Sequence, residues 1–120
     1  MSDTTMRPND MLPLTPAVFH ILLALADGEK HGYSIMQEVT TITNGAVNMG
    51  PGTLYGTIKR LLADGLIEET DERADRDRHD VRRRYYRITK RGRKVAAEES
   101  ARLVALVRHA RAMGFAPKAV

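Results

Sequence analysis

Apolar residues in this chain recur at helical spacing in four blocks, and alternate only in two short stretches between the third and the fourth. The first block opens at Thr15-Pro16, a hydroxyl N-cap followed by a proline at the first helical position. Val18, Ile21, Leu22 and Leu25 carry it to a stop at Asp27-Gly28. The second runs from Gly32 to Ile42 on Tyr33, Ile35, Met36 and Val39, and Asn44-Gly45 turns the chain. Ala46 to Met49 reads as a short extended segment, broken by Gly50-Pro51-Gly52. The third helix starts at Pro51 or Thr53 and stops at Asp64-Gly65. Leu54, Ile58, Leu61 and Leu62 stand at i, i+4, i+7 and i+8, which makes one apolar face. Thr53, Gly56, Lys59, Arg60 and Ala63 fall on the opposite side.

The period then changes. Leu66 to Thr70 and the β-branched and aromatic stretch Val81 to Thr89 read as two paired strands. Residues 71–80, DERADRDRHD, are too long for a tight hairpin and form a charged tip. Thr89 caps a long helix over Lys90 to Met113, in which Leu103, Leu106, Ala110 and Met113 stand at 3, 4, 3 spacing, widened by Val104 and Val107. At about 1.5 Å per residue this helix is roughly 35 Å long, too long to bury its stripe on so small a body. A helix from a second subunit is the natural cover.

The predicted fold class is mainly α with a small two-stranded antiparallel β wing: a winged helix-turn-helix with a long C-terminal dimerisation helix. The expected organisation is a flexible tail over 1–13 and the winged helix-turn-helix over 14–89. The dimerisation helix follows over 90–113, then a C-terminal tail over 114–120.

Charge sharpens this picture. The chain carries a net +4 over 120 residues, yet residues 82–94 hold eight basic side chains and no acidic one, so the remainder is net acidic. A concentrated basic segment interleaved with tyrosines points to a polyanion. The longest apolar run, near Ile21 to Ala26, is too short to span a bilayer, so no membrane association is expected. The N-terminus is polar and shows no basic lead or cleavage site. Cysteine is absent, which excludes disulfides, thiolate catalysis and thiolate metal sites. The expected compartment is the cytoplasm.

Catalytic chemistry finds no support. Gly50, Gly52 and Gly56 match neither the nucleotide P-loop nor the dinucleotide fingerprint. Asp71, Asp75, Asp77 and Asp80 lack the glycine and spacing of a calcium loop. His20, His31, His79 and His109 are scattered with no helical ligand pair, and Ser34 and Ser100 have no base partner. No enzyme activity, cofactor or metal is expected.

A helix whose polar face has a small residue at its centre, ringed by a hydroxyl and basic groups, suits the major groove of duplex DNA. Its N-terminus, with free N–H groups and the Thr53 hydroxyl, can hold a backbone phosphate. The candidate DNA contacts are Tyr33, Thr53, Tyr55, Thr57, Lys59 and Arg60, with Arg82, Arg83, Arg84 and Arg87 of the wing. For each tyrosine packing is the first reading and DNA contact the second. Of Tyr85 and Tyr86, strand alternation sends one to the core and one outward. Phe19, Leu22, Leu103, Leu106, Val107, Ala110 and Met113 are the candidate dimer interface, or the lining of an apolar effector pocket within it. The alternative is a winged-helix protein–protein interaction module without specific DNA binding.

Three separated segments resemble the PadR family of bacterial transcriptional regulators: His31-Gly32-Tyr33 with Ile35; Gly52-Thr53-Leu54-Tyr55 through Leu61, Gly65, Leu66 and Ile67; and Arg84-Tyr85-Tyr86 with Ile88-Thr89 and Gly92. The resemblance spans about residues 14–112. It implies a homodimeric repressor of a roughly palindromic operator, released by a small hydrophobic or aromatic effector near the dimer interface. It implies DNA contacts at Tyr33, Thr53, Tyr55, Lys59 and the wing arginines. The single C-terminal helix is similar to that of the short subfamily, and the chain has no tryptophan to stack on a flat compound.

Overall fold

The computed structural model describes residues 11–70 and 84–115. The charged tip, Arg82, Arg83 and the outer parts of both tails lie outside them.

Helix α1 spans Pro16–Ala24, with the Thr15 hydroxyl accepting from the Val18 N–H at 3.3 Å. It ends three residues earlier than Asp27-Gly28 suggests, because Ala26 and Gly28 donate to Leu23 and Leu25 in tighter i→i+3 turns. Helix α2 spans Gly32–Ile42 and α3 spans Pro51–Ala63, which together form the helix-turn-helix. Between them, residues 46–50 stay outside the sheet, although Met49 turns into the core. The segment is pinned instead by the Thr43 hydroxyl, which accepts from the Val47 N–H at 3.1 Å.

The sheet differs from the prediction in one respect. It has three strands, not two: β1 (Lys30–His31), β2 (Ile67–Thr70) and β3 (Tyr85–Ile88), antiparallel and ordered β1-β3-β2. Lys30 pairs with Tyr86 and His31 with Tyr85 along the free edge of β3. Two residues are too few to show a period, so sequence patterning misses this strand. β2 and β3 pair from Ile67 with Ile88 to Thr70 with Tyr85.

One core joins these elements, built on Ile21, Leu22, Leu25, Ile35, Val39, Leu54, Ile58, Leu61, Leu66, Ile67, Tyr86 and Val95. Leu22 is fully buried in it, so it belongs to the fold rather than to the predicted subunit interface. Leu62 departs the other way. Its position at the edge of the α3 apolar arc leaves it 36% exposed, while Leu54, Ile58 and Leu61 face inward. Met11 packs against the core and the Leu14 N–H bonds Glu99.

Helix α4 spans Lys90–Ala112, capped by the Thr89 hydroxyl. Its first three turns pack on the body through Gly92, Val95 and Glu99. The same stripe then runs on through Leu103, Leu106, Ala110 and Met113 with less and less of the chain to cover it, and Leu106 and Met113 are over half exposed. Glu99 is the charged member of the buried stripe. Arg102 grips its carboxylate with two hydrogen bonds of 2.7 and 2.8 Å. That contact, helped by the Leu14 N–H and opposed by burial, holds the carboxyl below its usual range.

Candidate nucleic-acid interface

Helix α3 presents its outward side as a strip of small residues between cations. Leu54, Ile58 and Leu61 fix its rotation by facing the core, which at 3.6 residues per turn turns Gly52, Gly56, Lys59 and Ala63 outward, with Thr53 and Arg60 at the border. A Cβ built on Gly52 or on Gly56 would meet nothing within 4 Å. Gly56 lies mid-helix, where glycine costs about 1 kcal/mol relative to alanine. The packing of the described residues therefore gives no reason for it. Lys59 and Arg60 are exposed and form no ion pair with another described residue. The Thr57 hydroxyl donates to the Thr53 carbonyl at 2.7 Å, and its lone pairs accept from no other described residue. Gly50 caps the helix without a side chain, so the first N–H groups of α3 receive no cap bond from their N-cap residue.

The two helix tyrosines separate. Tyr33, at the start of α2, is 57% exposed and available to a ligand. Tyr55 is half-buried and lies across Gly32, where an added Cβ would collide with its ring and hydroxyl. Packing accounts for Tyr55. On β3, Tyr86 is the buried member of the pair and Tyr85 is half-buried. Burial, with the Glu69 carboxylate adding to it, pushes the Tyr86 phenol up.

The root of the wing is less basic than its sequence. Arg87 pairs with Glu68 directly across the ladder at 2.6 Å, and Arg84 pairs with Glu69 at 3.0 Å. Both pairs are partly exposed, where such contacts are worth about 0–1 kcal/mol. Arg82 and Arg83 lie outside the described residues.

The basic start of α4 divides in the same way. Arg93 donates to the Ala26 carbonyl beyond α1 at 3.1 Å, and Arg91 donates to the Asp64 carbonyl at the end of α3 at 3.1 Å. Lys90 and Lys94 remain exposed. His31 was not among the predicted site residues. Its Nδ1 accepts from the Ser34 N–H at 3.2 Å as the N-cap of α2, and its ring meets Tyr85 edge-on at 5.3 Å. It thereby ties the first helix of the helix-turn-helix to the wing. Histidine is not a usual N-cap residue, so capping rules do not find it.

Phe19 on α1 and Ser100, Leu103, Val104 and Val107 on α4 line an apolar groove of 420 Å³, rimmed by Arg108 and Arg111. No group of three or more metal-ligating side chains occurs among the described residues. None of their helices is long and apolar enough to cross a membrane.

Residues 21–98, which hold the helix-turn-helix, the wing root and the first turns of α4, match the family described as transcriptional regulator PadR-like. The chain belongs to the PadR-like family of transcriptional regulators. It is 38% identical over 89 residues to the transcriptional regulator Rv3488 of Mycobacterium tuberculosis, covering 74% of this chain and 77% of that protein. It is also 34% identical over 95 residues to an uncharacterized 37.1 kDa protein in a Streptomyces fradiae transposon; the match covers 79% of this chain but only 23% of that protein. Among solved structures, a transcriptional regulator from Clostridium thermocellum superposes with a TM-score of 0.64 at 26% identity, covering 79% of this chain and 86% of that one. PadR-like membership places the chain among transcriptional regulators, which are not enzymes.

Proposed function

We propose that this PadR-like regulator is a cytoplasmic homodimeric repressor that reads a palindromic operator with the outward face of α3. The observation that carries the proposal is the pair of glycines, Gly52 and Gly56, exposed beside two cations that form no ion pair with another described residue. The major groove is wide enough to admit an α-helix, and small residues on the facing side let its backbone come close to the base edges. Lys59 and Arg60 contact bases or the adjacent phosphates. Tyr33, Thr53 and Thr57 contact backbone. The wing arginines, Arg84 and Arg87 among them, exchange their glutamates for phosphate and add mainly non-specific affinity.

The second subunit covers the exposed half of the α4 stripe. Leu103, Leu106, Ala110 and Met113 continue a line that the body has already buried up to Glu99, and the groove beside Phe19 widens it. A small hydrophobic effector would occupy whatever part of that groove the partner leaves open.

Anisotropy titration against duplex from the gene's own upstream region tests the DNA role. The K59A/R60A double variant is expected to lose specific affinity by on the order of a hundredfold, since each good base contact is worth about 1–3 kcal/mol. Normal operator binding by that variant would remove α3 from the reading role. If the unaltered protein selects no fragment at moderate salt, the protein–protein module is the better account. Light scattering at micromolar concentration is expected to return a dimer, and a monomer would overturn the assignment of α4.

A further inference from the structure

The turn that ends α3 has three successive carbonyls, and the start of α4 bonds all of them. The Asp64 carbonyl accepts from Arg91 Nε at 3.1 Å. The Gly65 carbonyl accepts from the Thr89 hydroxyl at 2.7 Å, and the Leu66 carbonyl from the Thr89 N–H at 3.1 Å. The Thr89 hydroxyl also accepts from the Gly92 N–H at 3.0 Å, so it caps α4 while holding the end of α3. The Arg91 stem lies along Gly65, its Cδ 3.7 Å from where a Cβ would stand. Its Nη2 faces the sulfur of Met11 at 4.0 Å. One side chain therefore touches the last turn of α3, the first turn of α4 and the N-terminal segment.

From this geometry we infer that Arg91 is a positioning residue for DNA recognition: it ties the C-terminal turn of α3 to α4, so that the angle of α3 follows the arm. A guanidinium suits this place. The end of a helix carries partial negative charge on carbonyls with no partner in the helix. Arginine's planar fork holds two directions at once, which a lysine ammonium on a flexible stem does not. Thr89 supplies the other two bonds but is also the cap of α4, so it cannot be changed without loosening the helix itself. In sequence Arg91 is one cation in a basic run that either flanks DNA or sits at the junction between wing and dimer arm. In the fold its Nε is directed at the end of α3.

The inference rests on α3 being the DNA-reading helix, and one experiment separates the two. The wild-type protein selects an operator from a pool of random duplexes. Wild type, R91A and R91K are then titrated on that operator and on a scrambled duplex across a salt series. If wild type selects nothing, the DNA role itself fails, and the inference with it. If it selects an operator, R91A is expected to lose about five- to tenfold on the operator, the scale of residues that act without touching the ligand. Affinity for scrambled DNA and the salt slope should not change. R91K keeps the charge and is expected to lose about threefold on the operator alone, so it carries the test if R91A folds poorly. Equal loss on both duplexes in R91A, with the salt slope lower by about one, would make Arg91 a phosphate contact and overturn the inference. Unchanged operator affinity in both variants would also overturn it.

Discussion

Gly56→Leu is expected to abolish specific DNA binding while leaving the protein folded and more stable. The two effects have separate origins. Gly56 sits at the centre of the outward side of α3, and a Cβ there meets nothing within 4 Å. The first atom of a side chain at this position therefore meets no described residue. It also restores the helix propensity that glycine forfeits, about 0.8–1.0 kcal/mol relative to alanine. At fixed protein concentration that should raise the melting temperature by about 4 °C. On DNA the same side chain would fill the space through which the helix backbone approaches the base edges. Specific affinity should fall by on the order of a hundredfold or more, equivalent to at least about 2.7 kcal/mol. Gly56→Ala should show the same pair of effects with a smaller loss, because a methyl group intrudes less. Thermal melts and anisotropy on one preparation give both readings. A leucine variant that binds its operator normally would mean that α3 does not lie in a groove.

Gly92→Ala is expected to cost about 3 kcal/mol of stability, the largest loss foreseen for a change of one methyl group. Gly92 is the third residue of α4, where that helix presses on the turn after α3. An added Cβ would fall on the Leu66 carbonyl oxygen, 3.0 Å from the Leu66 carbonyl carbon and 2.8 Å from Ile88 Cγ1. The obstacle is backbone, so no rotamer change relieves it. The helix must lift, and the Thr89 N–H bond to that same Leu66 carbonyl, 3.1 Å long, is lost with it. The melting temperature should drop by on the order of 10 °C or more. Gly32→Ala makes an instructive control. Its clash is with the Tyr55 ring, the movable end of a side chain, so the loss should be clearly smaller. Equal melting temperatures for Gly92→Ala and wild type would show that α4 does not dock here as described.

Much of the architecture was legible because it is periodic. The apolar spacing from Pro16 onward places α1, α2, α3 and α4 nearly where they lie, and Thr15 and Thr89 mark their starts as N-caps. Where the pattern is too short or ends in a tightened turn, it misleads. β1 has two residues and no period, and α1 closes in i→i+3 turns before its glycine. Leu62 counts as apolar at helical spacing, yet its place at the edge of the arc leaves it largely outside the core.

The candidate site was legible in composition but not in geometry. Lys59, Arg60, Gly56 and Thr53 stand out as a polar helix face in one dimension, and the fold leaves that face open. Tyr33 and Tyr55 look alike in sequence, and only the packing of Tyr55 over Gly32 separates them. Gly92 did carry a signal: a glycine inside a helix, with no turn to make, marks a close approach. Nothing local says what approaches.

The linear order of residues settles the four helices, the two longer strands, the family and the presence of a concentrated basic segment, because periodicity, caps and motifs are properties of neighbours along the chain. It does not settle where each charge is spent. Eight cations over residues 82–94 look alike in sequence. In the fold Arg84 and Arg87 meet glutamates on β2, while Arg91 and Arg93 bond the carbonyls that close α3 and α1. Lys90 and Lys94 stay exposed. These partners lie 15 to 67 residues away along the chain. A charge acts on what is within a few ångströms of it, and only the folded chain brings those groups there.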